Sequence, residues 1–322
     1  MIIDTLTSPV ILFFLLGFFA AFAKSDLSIP EAFGKAMSIY LMVAIGLKGG
    51  VEVMNAGFSI DLLNAALAGL SLSFLLPVPA FFALIYFGKL KPVDAGAVAA
   101  HYGSVSVVTF VTAKELLTNQ GLEPAGYMVA VLAIMETPAI ISGLLLIRFG
   151  NKGKSTEKSN NNIKKLLHEV FTNASVILLI GAFIIGMVAG KSGFEPIKPL
   201  FEVGFKGVLC LFLLDMGLVA GRRLVQSNKL SLRLVMIGIC LPIFNGTFGA
   251  IIGLGIGLDA GSAIALSILG ASASYIAVPA AMRLAAPEAD PGIYLTMSLG
   301  VTFPFNIIIG ISLYTYIVQI LG

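Results

Sequence analysis

The long apolar segments of this sequence constrain its fold more than any other feature. Segments near residues 61–88 and 231–257 are long enough to cross a bilayer core, which needs about 20 apolar residues per helix. Hydrophobic residues make up 58% of the 322 residues, charged residues only 11%, and the mean hydropathy is +1.00. This composition excludes a water-soluble domain, and because the apolar runs are continuous rather than alternating, they exclude a β-barrel.

Ten membrane spans are predicted where apolar runs are bounded by glycine, proline or charged residues. They lie near residues 9–23, 32–50, 61–88, 92–118, 124–147, 172–190, 198–221, 231–257, 259–284 and 291–320. Residues 148–169 are rich in lysine and asparagine and cannot enter lipid, so they are predicted to form an exposed linker. The predicted organisation is therefore a first unit at 1–147, the linker at 148–169, and a second unit at 170–322. We expect the first span to be retained, since it lacks the basic start of a signal peptide.

The two halves carry the same landmarks about 167 residues apart. The segments EPAGY (123–127) and DPGIY (290–294) correspond, as do the helix-breaking Pro138 and Pro304 and the predicted helix N-caps Asp94 and Asp259. A Ser-x-Ser follows a glycine in both halves, at 103–106 and at 270–274. Five spans is an odd number, so the second half must enter the membrane in the opposite sense. The predicted fold is an all-α polytopic membrane protein of ten transmembrane helices, arranged as two inverted five-helix repeats with broken helices at the midplane.

The distribution of positive charge predicts the orientation. Fifteen of the 20 Lys and Arg lie on the side of the linker, and the other side has five: Lys48, Lys114, Lys191, Lys198 and Lys206. Basic residues favour the cytoplasm, so the linker is predicted to be cytoplasmic and both termini to lie outside an inner (plasma) membrane. The basic linker is then typical of an ordinary solvated loop. The Lys and Arg residues form no basic cluster of the kind that indicates nucleic acid as a partner.

Two segments are the candidates for a functional site. Residues 101–112 and 268–283 concentrate small and hydroxyl side chains in the middle of a span. In inverted-repeat transporters such helices break, so that half-helix N-termini face an anion and freed carbonyls face a cation. The alternative is tight helix packing through small residues.

Ionisable residues within a span are costly and are therefore functional hypotheses. Glu136 precedes Thr137 and Pro138, so its carboxylate and freed carbonyls favour a hard cation such as Na⁺, with a structural hydrogen bond as the alternative. His101 is a candidate proton relay, although a lone histidine is more often a hydrogen-bonded structural residue. Asp215 and Lys206 are nine residues apart, too far for a direct pair on one helix, and have no assigned role.

Enzyme motifs are absent from the sequence. It contains no HExxH, no P-loop and no G-x-S-x-G, and His101 with Ser106 makes a poor nucleophile pair. The sequence therefore predicts a transporter rather than an enzyme, with a channel or receptor as the alternative from another class.

Several longer motifs resemble one family along nearly the whole chain. They are IPEAFGKAMSIYLMVAIGLKGGVEV (29–53), KLKPVDAG (89–96), METPA (135–139) and ASASYIAVPAAMR (271–283). Their order and spacing resemble the sodium-dependent bicarbonate transporter family, best known from cyanobacteria. The resemblance implies ten helices in two inverted repeats, core and gate domains, a homotrimer and an elevator-like motion. It also implies Na⁺ as the coupling ion and a small PII-like protein as a candidate cytoplasmic regulator.

Position by position, the resemblance assigns site residues. The resemblance implies substrate-binding residues at Gly103, Ser104, Ser106, Thr109, Ser272 and Ser274. Gly270 and Tyr275, in the same segment as Ser272 and Ser274, are predicted to join them, and Glu136 and Thr109 are the predicted sodium ligands. The chain departs from the family pattern at Val107 and Val108, at Tyr275 in place of an acid, and at Glu136 in place of aspartate. The predicted function is Na⁺-coupled import of bicarbonate, and the departures keep a Na⁺- or H⁺-coupled symporter of another small carboxylate as the alternative.

Overall fold

A computed structural model describes residues 7–57, 59–136, 138–150, 174–226, 230–275 and 277–322. These residues form helices and no strands, which confirms the all-α prediction for the part of the chain described. The helices are α1 (Pro9–Phe22), α2 (Glu31–Ala56), α3 (Ile60–Leu75), α4 (Pro77–Tyr86), α5 (Pro92–Gly103), α6 (Val107–Asn119), α7 (Met128–Met135), α8 (Pro138–Gly150), α9 (Ala174–Phe194), α10 (Phe205–Gln226), α11 (Leu232–Gly255), α12 (Ala260–Ala271), α13 (Ala277–Ala285) and α14 (Pro291–Leu321). A 3-10 turn at Glu195–Ile197 and a π-helical turn at Pro199–Val203 connect α9 to α10, and α14 itself contains π-helical turns at Thr296–Thr302 and Asn306–Gly310.

Eight helices or helix pairs among the described residues are long and apolar enough to cross a membrane. The first and ninth predicted spans contain shorter apolar helices instead, Pro9–Phe22 and Ala260–Ala271. Several predicted spans are interrupted within their length, as in 92–118, where α5 ends and α6 begins. Most of the predicted linker, residues 151–169, lies outside the described residues.

Helices α1, α2, α9 and α10 form a four-helix unit in which α1 packs on α10 and α2 packs on α9. Glycines make both close approaches. A Cβ on Gly17 would lie 2.1 Å from the Leu214 carbonyl oxygen, and one on Gly217 would lie 2.2 Å from that of Phe14. The α2–α9 pair uses Gly50 and Gly186 in the same reciprocal way. Any larger side chain would force these backbones apart.

The remaining helices form a core unit built around two broken helices, α5–α6 and α12–α13. Helix α5 packs between α4 and α8, and α12 packs on α11 and α14. The connections agree in detail, since the Ala125 amide before α7 donates to Ser262 of α12, and the Asp290 amide before α14 donates to Asp94 of α5. The beginning of each broken helix thus supports the beginning of a helix in the other half of the chain.

The prediction of two aspartate N-caps is half correct. Asp259 caps α12 by accepting from the Ser262 amide at 2.9 Å. Asp94 does not cap α5, because that helix begins at Pro92, whose fixed φ suits the first helical turn, with Lys91 at the N-cap. Its carboxylate instead accepts from the Asp290 amide at 2.8 Å.

Candidate functional site

The two Gly-Ser segments form the breaks of two helices. Helix α5 ends at Gly103 and α6 begins at Val107, while α12 ends at Ala271 and α13 begins at Ala277. Ser104 and Ser272, which follow the first half-helices, have extended backbone with ψ of 174° and 162°. Ser104, Ser106, Ser272 and Ser274 are all buried. Gly103 permits the first break to lie against α4, since a Cβ there would be 2.3 Å from Cγ of Pro77.

The breaks are hydrogen-bonded to each other, and we call residues 101–106 and 270–275 together the crossing. The Ser106 amide donates to Oγ of Ser272 at 2.9 Å, and the Ser274 amide donates to the His101 carbonyl at 2.9 Å. The His101 ring, through Nδ1, is also hydrogen-bonded to the Ser274 carbonyl. Residues more than 160 positions apart therefore meet at one place, with each segment satisfying backbone groups of the other.

Ser106 organises the beginning of α6 at the crossing. Its Oγ accepts from the amide of Thr109 at 3.2 Å and from the Thr109 hydroxyl at 3.0 Å, as expected for an N-cap serine. The first amides of a helix have no partner within the helix and carry its positive dipole end. Here those amides belong to Val107 and Val108, both buried. The beginning of α6 thus presents donors and positive potential at the crossing.

Tyr275 closes the second break on the side of the four-helix unit. Its ring packs edge-on against Phe303, with centroids 5.2 Å apart, and Phe303 packs against Phe14 of α1 at 5.5 Å. The Tyr275 hydroxyl lies beside Ser106 and is buried without a partner that satisfies hydrogen-bond geometry. The phenol therefore offers a donor at the crossing, where the family resemblance implies an acid.

Glu136 lies in the interruption between α7 and α8. It is 3% exposed, its carbonyl accepts from Oγ of Ser104 at 3.0 Å, and its Oε2 has no hydrogen-bond partner. A buried, unpartnered carboxylate oxygen is costly unless a cation or a proton neutralises it. Among the described residues no three His, Cys, Asp or Glu side chains converge as a metal site, so the other ligands of a cation held here would have to be of other kinds.

Two asparagines that sequence reasoning missed bind the carbonyls freed at the breaks. Nδ2 of Asn245 donates to the Tyr102 carbonyl at 3.1 Å, and Nδ2 of Asn306 donates to the Ala271 carbonyl at 2.8 Å. Both asparagines are fully buried or nearly so. Oδ1 of Asn245 is unpartnered, whereas that of Asn306 accepts from the Tyr314 hydroxyl at 3.0 Å. A polar amide in an apolar span was the signal available in the sequence.

A second polar region lies where α6 meets the four-helix unit. A cavity of about 210 Å³ lies between α2, α6 and α10, with Lys48, Lys114, Glu115 and Glu202 among its lining residues. Ion pairs cross this boundary. Lys114 lies 3.4 Å from Glu52 and Lys206 lies 2.9 Å from Glu115. Lys48 also contacts Glu123 at 3.2 Å. Val111, one turn into α6, also lines the cavity, so the cavity approaches the crossing along this helix.

Comparison with known proteins gives the chain its family. A model of the Na⁺-dependent bicarbonate transporter superfamily matches residues 9–319. The chain belongs to this superfamily. The resemblance noted from the motifs is confirmed, and the family supports a membrane transporter rather than an enzyme. No curated protein matches the chain.

The structure also shows the surroundings of the ionisable residues to which the sequence assigns no firm role. His101 is fully buried and stacks on Tyr294 with centroids 4.9 Å apart, in addition to its bond to Ser274. The Nδ1 bond and the stacking favour a structural role, whereas Nε2 is buried without a hydrogen-bond partner, so the proton-relay role stays a prediction. Lys206 pairs with Glu115 across the unit boundary and not with Asp215. Asp215 packs against α2, where a Cβ on Gly34 would lie 2.5 Å from its Oδ2.

Proposed function

We propose that this transporter imports bicarbonate together with Na⁺ across the inner membrane. The observation that carries the proposal is the crossing, where two helices break at hydroxyl-rich segments and hydrogen-bond to each other. Membership of a Na⁺-dependent bicarbonate transporter superfamily supports the ion and the substrate.

The anion is proposed to bind at the crossing. Its ligands would be the amides at the beginning of α6 and the polar groups around them: Gly103, Ser104, Ser106, Thr109, Gly270, Ser272, Ser274 and Tyr275. A helix N-terminus attracts an anion through its unpaired amides and its dipole. The buried Tyr275 hydroxyl supplies a further neutral donor. Because Val107 and Val108 leave less room than small residues, the site suits a compact anion.

The sodium ion is proposed to bind at Glu136 with help from Thr109. Oε2 of Glu136 is buried and unpartnered, and Na⁺ would neutralise it. The Thr109 hydroxyl donates its proton to Ser106 and so directs its lone pairs elsewhere, as a cation ligand requires. One Na⁺ per anion cancels the cost of importing negative charge, about 2.3 kcal/mol per 100 mV. A tenfold sodium gradient then supplies about 1.4 kcal/mol for accumulation.

Two inverted repeats and an elevator-like motion are proposed from the arrangement of the units. The glycine contacts of α1 with α10 and of α2 with α9 are reciprocal. Gly17 and Gly186 belong to the first helices of the two halves, and Gly50 and Gly217 to the second. Gly17 is separated from Gly186, and Gly50 from Gly217, by nearly the same number of residues as separates EPAGY from DPGIY, which is about 167. We propose that the core unit carries the crossing past the four-helix unit, which acts as the fixed gate domain.

The orientation is proposed with both termini outside and residues 148–169 in the cytoplasm. Four of the five lysines predicted on the outer side form ion pairs near the cavity at the unit boundary: Lys48, Lys114, Lys198 and Lys206. Their proximity supports the proposal that they lie on the same side of the membrane. A homotrimer and a PII-like cytoplasmic regulator remain proposals from the family resemblance. Co-purification with a PII-like protein that depends on adenine nucleotide would test the regulator.

The test is uptake of labelled bicarbonate into proteoliposomes at alkaline pH, where membrane-permeant CO₂ is scarce. Concentrative uptake that requires an inward Na⁺ gradient is the expected result. Saturable uptake driven equally by a proton gradient would favour a symporter of another small carboxylate. Competition by a carboxylate such as acetate would favour it as well. The observation behind this alternative is Tyr275, which stands where the family resemblance implies an acid. Flux that never exceeds equilibrium would favour a channel and contradict the proposal.

A further inference from the structure

Ser73 of α3 occupies the interruption between α7 and α8. Its hydroxyl donates to the Met135 carbonyl at 2.7 Å and accepts from the Ala139 amide at 3.1 Å. Met135 and Ala139 are four residues apart, so in a continuous helix this amide and this carbonyl would bond to each other. The Ser73 hydroxyl is inserted between them, and an inserted side chain is one of the recognised causes of a helix kink. Ser73 is fully buried.

The turn that Ser73 holds open is the turn that contains Glu136. Within it, the Glu136 carbonyl accepts from Ser104 at the crossing, and the Glu136 carboxylate has its unpartnered Oε2. The same segment of α3 also supports the first break, because a Cβ on Gly103 would lie 2.9 Å from the Ser73 carbonyl oxygen. Ser73 thus contacts both the turn that carries the Glu136 carboxylate and the helix break at Gly103.

We propose that Ser73 is a positioning residue for the Glu136 carboxylate and thereby sets the affinity for the coupling cation. This inference rests on the proposed sodium role of Glu136. Ser73 does not touch the cation itself. Its two hydrogen bonds fix the open turn, so that the carboxylate is held in place before the cation arrives and does not have to be ordered on binding.

Ser142 provides a matched control on the same pair of helices. Its hydroxyl, on α8, donates to the Phe74 carbonyl of α3 at 2.9 Å, and the residue is 6% exposed. Ser142 therefore links α8 to α3 by a buried hydrogen bond, much as Ser73 links α3 to the α7–α8 interruption. Unlike Ser73, its hydroxyl is not inserted between the amide and the carbonyl of a helical turn. A purely structural role for Ser73 predicts the same behaviour for Ser73→Ala and Ser142→Ala.

The experiment compares Ser73→Ala and Ser142→Ala in proteoliposomes. The sodium concentration for half-maximal uptake is measured first, then the KM for bicarbonate at saturating sodium. Two lost hydrogen bonds of ordinary strength correspond to about a thirtyfold change in affinity. We expect Ser73→Ala to raise the half-maximal sodium concentration by about this factor, with an unchanged KM at saturating sodium. Ser142→Ala should leave both values unchanged. Recovery of Ser73→Ala at high sodium would also show that the variant is folded.

Two results would overturn the inference, and they are distinguishable. If wild type shows no sodium response, the sodium role of Glu136 fails and the role of Ser73 fails with it. If wild type responds to sodium and Ser73→Ala responds with the same half-maximal concentration, only the role of Ser73 fails. Should Ser73→Ala not yield monodisperse protein, Ser73→Cys carries the same expectation, because it keeps the approximate volume and replaces the hydroxyl by a weak donor.

Discussion

Replacing Ser272 by alanine tests whether the hydrogen bonds at the crossing matter for transport. The Ser272 hydroxyl accepts from the Ser106 amide at 2.9 Å and donates to the Leu269 carbonyl at 2.8 Å. Both Ser272 and Ser106 are buried. In Ser272→Ala, the Ser106 amide would keep no acceptor and no access to water.

The expected magnitude follows from that orphaned amide. Leaving a buried donor unsatisfied costs about 1–3 kcal/mol, equivalent to a factor of about 5 to 150 in an equilibrium constant. Because Ser106 caps α6, the penalty falls on the geometry of the proposed anion site. We therefore expect transport to fall by a factor in this range.

Ser267→Ala is the matched control. Ser267 lies on α12, which Ser272 directly follows, and it is also fully buried. Its hydroxyl donates to the Gly246 carbonyl at 2.7 Å but accepts no bond from the first break. Initial rates of bicarbonate uptake in proteoliposomes should fall strongly for Ser272→Ala and little for Ser267→Ala. Equal rates for the two variants would refute the argument that the crossing must be intact.

Three further predictions concern the cation, the packing of the first break and the relative motion of the units. Glu136→Gln should abolish the sodium dependence of uptake, because it removes the charge at the proposed ligand, whereas Glu136→Asp should retain it. Gly103→Ala should lower thermal stability by about 1–3 kcal/mol through overpacking, because its Cβ would lie 2.3 Å from a proline ring, and Gly181→Ala, which faces open space, should not. Cysteines at Lys206 and Glu115, which pair across the unit boundary, should stop uptake when joined by a bifunctional thiol reagent.

Sodium-dependent uptake by Glu136→Gln would exclude the carboxylate as a ligand, and equal stability of the two glycine variants would contradict the packing argument. For the cross-link, Cys210 and Cys240 are first replaced by alanine. Cysteines at Lys198 and Glu202, which pair within one segment of the four-helix unit, serve as the control and should leave uptake intact. Continued uptake with Lys206 and Glu115 cross-linked would contradict motion between the units.

Much of the helical framework was predictable because lipid imposes a simple requirement on sequence. A span must be long, apolar and internally hydrogen-bonded, so the runs near 61–88 and 231–257 predict helices without knowledge of their neighbours. The two Ser-x-Ser segments were recognisable because they recur in both halves. That the two segments hydrogen-bond to each other became visible only in the tertiary structure.

Other features could not be found by the same reasoning. Asp94 has the local pattern of an N-cap, yet Pro92 begins the helix and the carboxylate accepts from Asp290 instead. Ser73, Asn245 and Asn306 are single polar residues in apolar spans, and such a residue does not reveal which atom it will meet.

The amino-acid sequence therefore specified the membrane class, the approximate spans and the family, because hydropathy and motif order are properties of local segments. The packing of the helices specified which polar atoms meet: Ser106 with Ser272, Ser73 with the α7–α8 interruption, and Asn245 with Tyr102. A hydrogen bond requires two atoms within about 3 Å and in the right direction. For residues 62 to 166 positions apart, only the folded backbone brings them to that distance.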